Sequence, residues 1–85
     1  MKTKDEIQRW LQERIAHELQ TSPDTVSPDT LFTRYGFDSV VVITLAVDLE
    51  AWLGVELDPT VIWEYPTIRS LTDWIVDDFF PAHTA

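Results

Sequence analysis

In the first segment, Ile7, Trp10, Leu11, Ile15 and Leu19 recur at steps of three and four, with Gln8, Arg9, Glu13, Arg14 and Glu18 between them. This spacing predicts one amphipathic helix over about 5–20. The pattern breaks at Thr21-Ser22-Pro23-Asp24, where the proline disfavours a helical conformation in the residue before it. Residues 22–38 hold two Ser-Pro-Asp-Thr sequences and further turn formers, which predicts a long loop. Val26, Leu31, Phe32 and Phe37 interrupt its polarity and are expected to pin it to the core, with a short helical turn around Leu31 to Arg34. The repeated tetrapeptide is too short, and its flanks too different, to mark a structural repeat.

Val40-Val41-Val42-Ile43 alone reads as a buried strand. The pattern continues through Leu45, Ala46, Leu49, Trp52 and Leu53, however, and a run to Gly54 without a break is too long for an ordinary strand. A helix over 39–53 follows, with Asp38 suited to its N-cap and Gly54 to its termination. Its β-branched residues cost some intrinsic helix propensity, which packing must offset. Pro59 can then open a short helix over about 60–65, which Pro66 ends. Thr67 can cap a last helix over about 67–80, with apolar positions at Ile68, Leu71, Trp74, Ile75 and Phe79, and residues 81–85 form a frayed tail. The expected fold is all-α: three main helices, a short fourth, a long first loop and no strand.

A chain of 85 residues fits one small domain, here expected to span 1–85. Cysteine is absent, so no disulfide or thiolate metal site can form, and stability must come from apolar packing with four Trp and four Phe. That usage fits a reducing cytoplasm. No apolar run reaches the roughly 18 residues of a membrane span, and nothing behind the Met1-Lys2-Thr3-Lys4 start resembles a signal peptide. The net charge is −9, with four of the six basic residues inside the first 14 positions. Such a balance disfavours nucleic acid and membrane surfaces, and a partner with a basic face is its natural complement.

Ser39 follows Asp38 at the first turn of the predicted second helix, where unpaired backbone N–H groups and the helix dipole favour negative charge. A phosphodiester-linked group would be welcome there. A plain helix start explains Asp-Ser equally well, since both residues are abundant at caps. A hydrolase nucleophile fits poorly, because Gly36-Phe37-Asp38-Ser39-Val40 lacks the glycine that follows serine in a nucleophile elbow. A general base is also hard to supply. The two histidines, His17 in the first helix and His83 in the tail, both read as solvated. No close His pair or calcium-loop carboxylate spacing points to a metal.

Tyr35-Gly36-Phe37-Asp38-Ser39-Val40 resembles the (L/Y)-G-x-D-S-(L/V) signature of acyl carrier proteins, whose serine receives 4′-phosphopantetheine from coenzyme A. Downstream, Asp48 to Leu57 resembles the family's LE-x-x-(F/W)-G segment, and Pro59 to Ile68 resembles the P-T-x-(L/V/I)-(F/W)-(D/E)-(H/Y)-P-T segment of polyketide-synthase carriers. The resemblance covers about residues 5–80 in the family's order. It implies a four-helix bundle of acyl-carrier type, not an enzyme. Ser39 would be the attachment point, Asp38 would help present it to a phosphopantetheinyl transferase, and Gly36 would allow the tight backbone before it. An acyl group would then ride as a thioester on the arm's thiol.

In this family the second and third helices face partners. Aligned on Ser39, the face here would include Val40, Thr44, Val47, Asp48 and Ala51, with Trp63 adding to it from the short helix. Sparse charge on that face implies a partner recognised by packing. The competing reading places Val47 and Trp63 in the core. The motifs look most like carriers loaded by a fatty-acyl-AMP ligase at the start of polyketide or lipopeptide pathways, serving a downstream synthase or acyl-processing enzyme and acting as a monomer. An extension-module polyketide carrier, a peptidyl carrier and an unmodified helical binding module are the alternatives.

Overall fold

A computed structural model describes residues 2–80 as four helices joined by irregular segments. Helix α1 runs Lys4–Leu19, α2 Ser39–Leu53, α3 Val61–Glu64 and α4 Ile68–Phe79. Single 3-10 turns at Pro23–Thr25 and Phe32–Tyr35 punctuate the long first connection. Among the described residues there is no strand, only one isolated bridge between Leu31 and Thr67. The expectation of a frayed tail at 81–85, His83 included, lies outside the described residues.

Each main helix starts where a side chain can take up an orphan backbone donor. Thr3 and Glu6 form a reciprocal capping box on α1, and Asp38 caps α2. Thr67 and Ser70 form a second such box on α4. These caps satisfy N–H groups that the first helical turn leaves without partners. The ends differ in their device. Gly54 closes α2 at φ 74°, a left-handed conformation that costs glycine little. Gln20 does the same for α1 at φ 57°, with the Thr21 N–H donating to the Ala16 carbonyl at 2.9 Å. Helix α1 therefore ends on a left-handed glutamine before Pro23 is reached, so the proline is not its terminator.

One core unites the helices. From α1 it takes Ile7, Leu11, Ile15 and Ala16, and from α2 Val42, Leu45, Ala46, Leu49 and Leu53. Val61 and Ile62 of α3 join Ile68, Leu71 and Ile75 of α4. The α2 set recurs at three- and four-residue steps, so one stripe of an almost wholly apolar helix goes inward and the rest stays outside. Aromatic pairs close the periphery: Trp10 stacks on Trp52 with ring centroids 5.2 Å apart, and Tyr65 on Trp74 at 5.1 Å.

The long loop is held mainly by its backbone. Phe32 N–H donates to the Pro66 carbonyl at 2.7 Å, Arg69 N–H to the Pro28 carbonyl at 2.9 Å, and Gln12 Nε2 to the Val26 carbonyl at 2.7 Å. Arg69 also grips Asp29 with two nitrogens, and those hydrogen bonds and the guanidinium charge hold the Asp29 carboxyl below its ordinary pKa. Val26 and Phe32 are buried as expected, and Phe37 is half-buried. Leu31 is not buried: its side chain is 43% exposed, because the bridge to Thr67 fixes the chain there without it.

Thr72 on α4 is 3% exposed, and its hydroxyl has no hydrogen-bond partner. An unpartnered buried hydroxyl costs about 1–3 kcal/mol, and valine matches threonine in shape. Thr72→Val is therefore expected to raise stability by about 1 kcal/mol in urea melts. A loss of similar size would show that the hydroxyl is partnered.

Candidate functional site

Residues 32–39 deliver the chain to the start of α2. The 3-10 turn Phe32–Tyr35 ends on Gly36 at φ 71°, ψ 21°, where the Gly36 N–H reaches back to the Thr33 carbonyl. A β-carbon at Gly36 would meet nothing within 4 Å, so the constraint is backbone conformation and not space. Tyr35 and Phe37 pack ring to ring on either side of the glycine, 5.5 Å between centroids, and anchor the reversal. Partial burial pushes the Tyr35 hydroxyl pKa up.

Asp38 then takes an extended conformation at φ −81°, ψ 175° and caps α2. Its Oδ1 accepts from the Val41 N–H at 3.0 Å, while its carbonyl accepts the first helical bond from Val42 at 3.1 Å. Ser39 is thus the first residue of α2 and is exposed, as are its neighbours Asp38 and Val40. The N–H groups of Ser39 and Val40 have no partner within the helix and sit at the positive end of its dipole. A phosphodiester on the Ser39 hydroxyl would meet open space and a favourable field. His17, the histidine among the described residues, is exposed on α1, and no carboxylate or histidine cluster suited to a metal occurs among those residues.

Beyond Ser39 the outer face of α2 is apolar. Val40 is 69% exposed, Ile43 49% and Val47 50%, with Thr44 and Ala51 exposed beside them. Trp63 of α3 is 53% exposed, so neither it nor Val47 is a core residue. Asp48 departs from expectation. It lies at the edge of the face, half-buried, and its carboxylate pairs with Arg14 of α1. Glu50 is also committed, accepting from the Leu57 N–H at 2.9 Å. Both carboxylates of α2 therefore hold the fold, and the outward face carries no free charge. Sequence reasoning missed Ile43 because it sits inside a four-residue apolar run. Its position four residues after Ser39, one helical turn on, was the available signal.

Toward α1, a cleft of about 100 Å³ opens between α1 and α2 and shares Val40 and Thr44 with the outer face. Arg14, Ile15 and Glu18 form one wall, Val41, Thr44 and Leu45 the other, and Phe37 and Val40 close one end. Helical periodicity carries no trace of such a void, which depends on how side chains fill the space between two helices.

Comparison with known proteins matches this arrangement to one family. The family model described as "Phosphopantetheine attachment site" matches residues 9–75. The acyl carrier protein TtuC of Teredinibacter turnerae is 36% identical over 73 residues, covering 86% of this chain and 84% of that one. The polyketide synthase PksN of Bacillus subtilis is 32% identical over 81 residues, and although 95% of this chain is matched, that stretch is 2% of the synthase. Among solved structures, a free-standing peptidyl carrier protein from Acinetobacter baumannii superposes with a TM-score of 0.81 at 37% identity, over 88% of this chain and 94% of that one. The chain belongs to the phosphopantetheine-binding carrier domains, a family of acyl and peptidyl carriers that hold a covalent 4′-phosphopantetheine and are not themselves enzymes.

Proposed function

We propose that Ser39 is the attachment residue and that the protein, a single carrier domain, moves acyl groups between enzymes of a polyketide or lipopeptide type of pathway. The observation that carries this reading is the placement of Ser39: first residue of α2, exposed, beside a capping aspartate and a left-handed glycine. On attachment, the Ser39 oxygen bonds to the pantetheine-side phosphorus of coenzyme A. Adenosine 3′,5′-bisphosphate leaves, and the hydroxyl proton passes to a base of the transferase. Once in place, the arm supplies a thiol that holds an acyl group as a thioester.

Within that scheme Asp38 is a positioning residue. Its carboxylate spans from the cap to the Val41 N–H, which keeps the first turn of α2 wound and the Ser39 hydroxyl outward. Gly36 makes the preceding reversal without strain. Val40, Ile43, Thr44, Val47, Ala51 and Trp63 make up the partner surface in this reading, with Asp48 at its edge.

The loading enzyme we infer is a fatty-acyl-AMP ligase, supported by Asp48-Leu49-Glu50-Ala51-Trp52-Leu53-Gly54 and Pro59-Thr60-Val61-Ile62-Trp63-Glu64-Tyr65-Pro66-Thr67-Ile68. Such an enzyme would offer a fatty acid already activated as its adenylate. An uncharged apolar helix face suits a dedicated partner recognised by desolvated packing. A second reading, a carrier of an extension module, is favoured by the match of 95% of this chain within PksN. Among the described residues no helix is long and apolar enough to cross a membrane.

Incubation with coenzyme A and a broad-specificity phosphopantetheinyl transferase is expected to add the mass of one phosphopantetheine to the wild type and nothing to Ser39→Ala. No gain in folded wild type, with the transferase active on a control carrier, would leave an unmodified binding module. Val47→Glu places a charge on the exposed face without touching the core. It is expected to leave the melting temperature unchanged and to lower kcat/KM for loading by the cognate ligase about tenfold, a change of about 1.4 kcal/mol. Equal loading of the two proteins would place the docking surface elsewhere.

A further inference from the structure

Ser-Pro-Asp-Thr occurs twice in the first connection, at 22–25 and 27–30, and both copies turn alike. Ser22 Oγ accepts from the Asp24 N–H at 3.4 Å and Ser27 Oγ from the Asp29 N–H at 3.2 Å, while the Thr25 and Thr30 N–H groups donate to the Ser22 and Ser27 carbonyls. The two carboxylates have different fates. Asp24 is exposed and pairs with no cation among the described residues, whereas Asp29 receives two nitrogens of Arg69, at 2.6 and 3.2 Å. Local turn chemistry therefore does not account for the second pairing.

Arg69, for its part, is misplaced for a helix taken alone. It is the second residue of α4, whose first turn holds no acidic side chain, and a cation there opposes the helix dipole. The loop compensates: Asp29 brings a carboxylate to that helix end, and the Pro28 carbonyl takes up the Arg69 N–H, an orphan donor of the first turn, at 2.9 Å. Next to this clip, Leu31 bridges to Thr67 and the Phe32 N–H reaches the Pro66 carbonyl. Little slack remains between there and Ser39. The 3-10 turn Phe32–Tyr35, the left-handed Gly36, Phe37 packed on the Tyr35 ring and the capping Asp38 follow one another directly.

We propose that Asp29 and Arg69 are positioning residues for the attachment at Ser39: their clip between the long loop and α4 sets the pose in which the Gly36–Ser39 turn meets the transferase. The proposal rests on Ser39 as the tether. The transferase must bring one hydroxyl into line with a phosphorus, and a misplacement of about 1 Å can cost about a hundredfold in rate. Exposed residues of α2, which the transferase can bind, lie outside the clip, so loss of the clip leaves binding in place and lowers the rate of the bound complex. Both clip residues are exposed, so the pair adds little to global stability. Its work is local, on a loop that opens more readily than the core.

The test is a charge-reversal cycle on the full chain, read by the steady-state kinetics of modification with coenzyme A and by amide hydrogen exchange. Asp29→Lys turns attraction into repulsion, and Asp29→Lys with Arg69→Glu restores the pair in the opposite sense, with the new carboxylate at the helix end that favours it. Asp24→Lys makes the same change of charge in the unclipped copy. Asp29→Lys is expected to lower kcat about tenfold with KM for the carrier within about twofold of wild type, and to speed exchange at the Phe32 and Arg69 amides. The reversed pair recovers both, and Asp24→Lys alters neither. Should Asp29→Lys fail to fold, Arg69→Gln breaks the same pair with no repulsion and is expected to shift kcat and exchange in the same direction. Wild-type kcat in the clip variants, an equal loss in Asp24→Lys, or a loss that the reversed pair does not recover overturns the clip alone. No modification of the wild type, with the transferase active on a control carrier, overturns the tether and the clip together.

Discussion

Burial of a single stripe of α2 is the constraint from which the rest follows. Val42, Leu45, Ala46, Leu49 and Leu53 leave water, and because a helix returns to the same side every three to four residues, this choice fixes where all its other side chains point. Ser39 and Ile43 fall on one edge, Val40, Val47 and Ala51 on the outward face, and Val41, Asp48 and Trp52 toward α1. A helix so uniformly apolar could rotate about its own axis with little penalty. The polar and aromatic contacts at its margins fix its rotation: Asp48 with Arg14, Glu50 with the Leu57 N–H, and Trp52 against Trp10.

Those contacts also explain the character of the exposed surface. The protein carries a net charge of −9, yet the face beside Ser39 is neutral, because both acidic residues of α2 are engaged within the fold. Arg14 and Asp48 are each about a third exposed, so as an ion pair they contribute little to stability. Their effect is on geometry: the pair ties α2 to α1. In the proposed function, acidic charge elsewhere on the molecule would serve long-range encounter, and the apolar patch close recognition.

Much of this was legible in the sequence where chemistry and period agree. Asp38 and Gly54 mark the ends of α2 because each satisfies a specific need, a capped N–H and a left-handed turn, and Thr67 marks the start of α4 likewise. The core stripes of α1 and α4 follow from three- and four-residue spacing, except that Leu19, read as part of the α1 stripe, is 38% exposed at the helix end. Failures came where tertiary contacts choose between options that local pattern leaves equal. Leu31 reads as an anchor, but the backbone bond from Phe32 to the Pro66 carbonyl holds the loop there and leaves the leucine exposed. Asp48 reads as a free surface charge because nothing in the sequence says that Arg14, 34 positions earlier, lies across from it. Trp63 could pack or protrude; a four-residue α3 that already buries Val61 and Ile62 turns the tryptophan outward. The turn at Gly36 and the helix start at Ser39 were readable in YGFDSV, while the cleft between α1 and α2, made by two helices jointly, was not.

The claim on which the account rests is that α2 begins at an exposed serine able to bear a phosphodiester. A phosphorus-31 spectrum of the coenzyme A-treated protein, correlated to its protons, addresses this at the level of one bond. The account predicts a single phosphodiester resonance coupled to the β-protons of Ser39. A phosphodiester coupled to any other serine or threonine, or none under conditions that modify a control carrier, would contradict it.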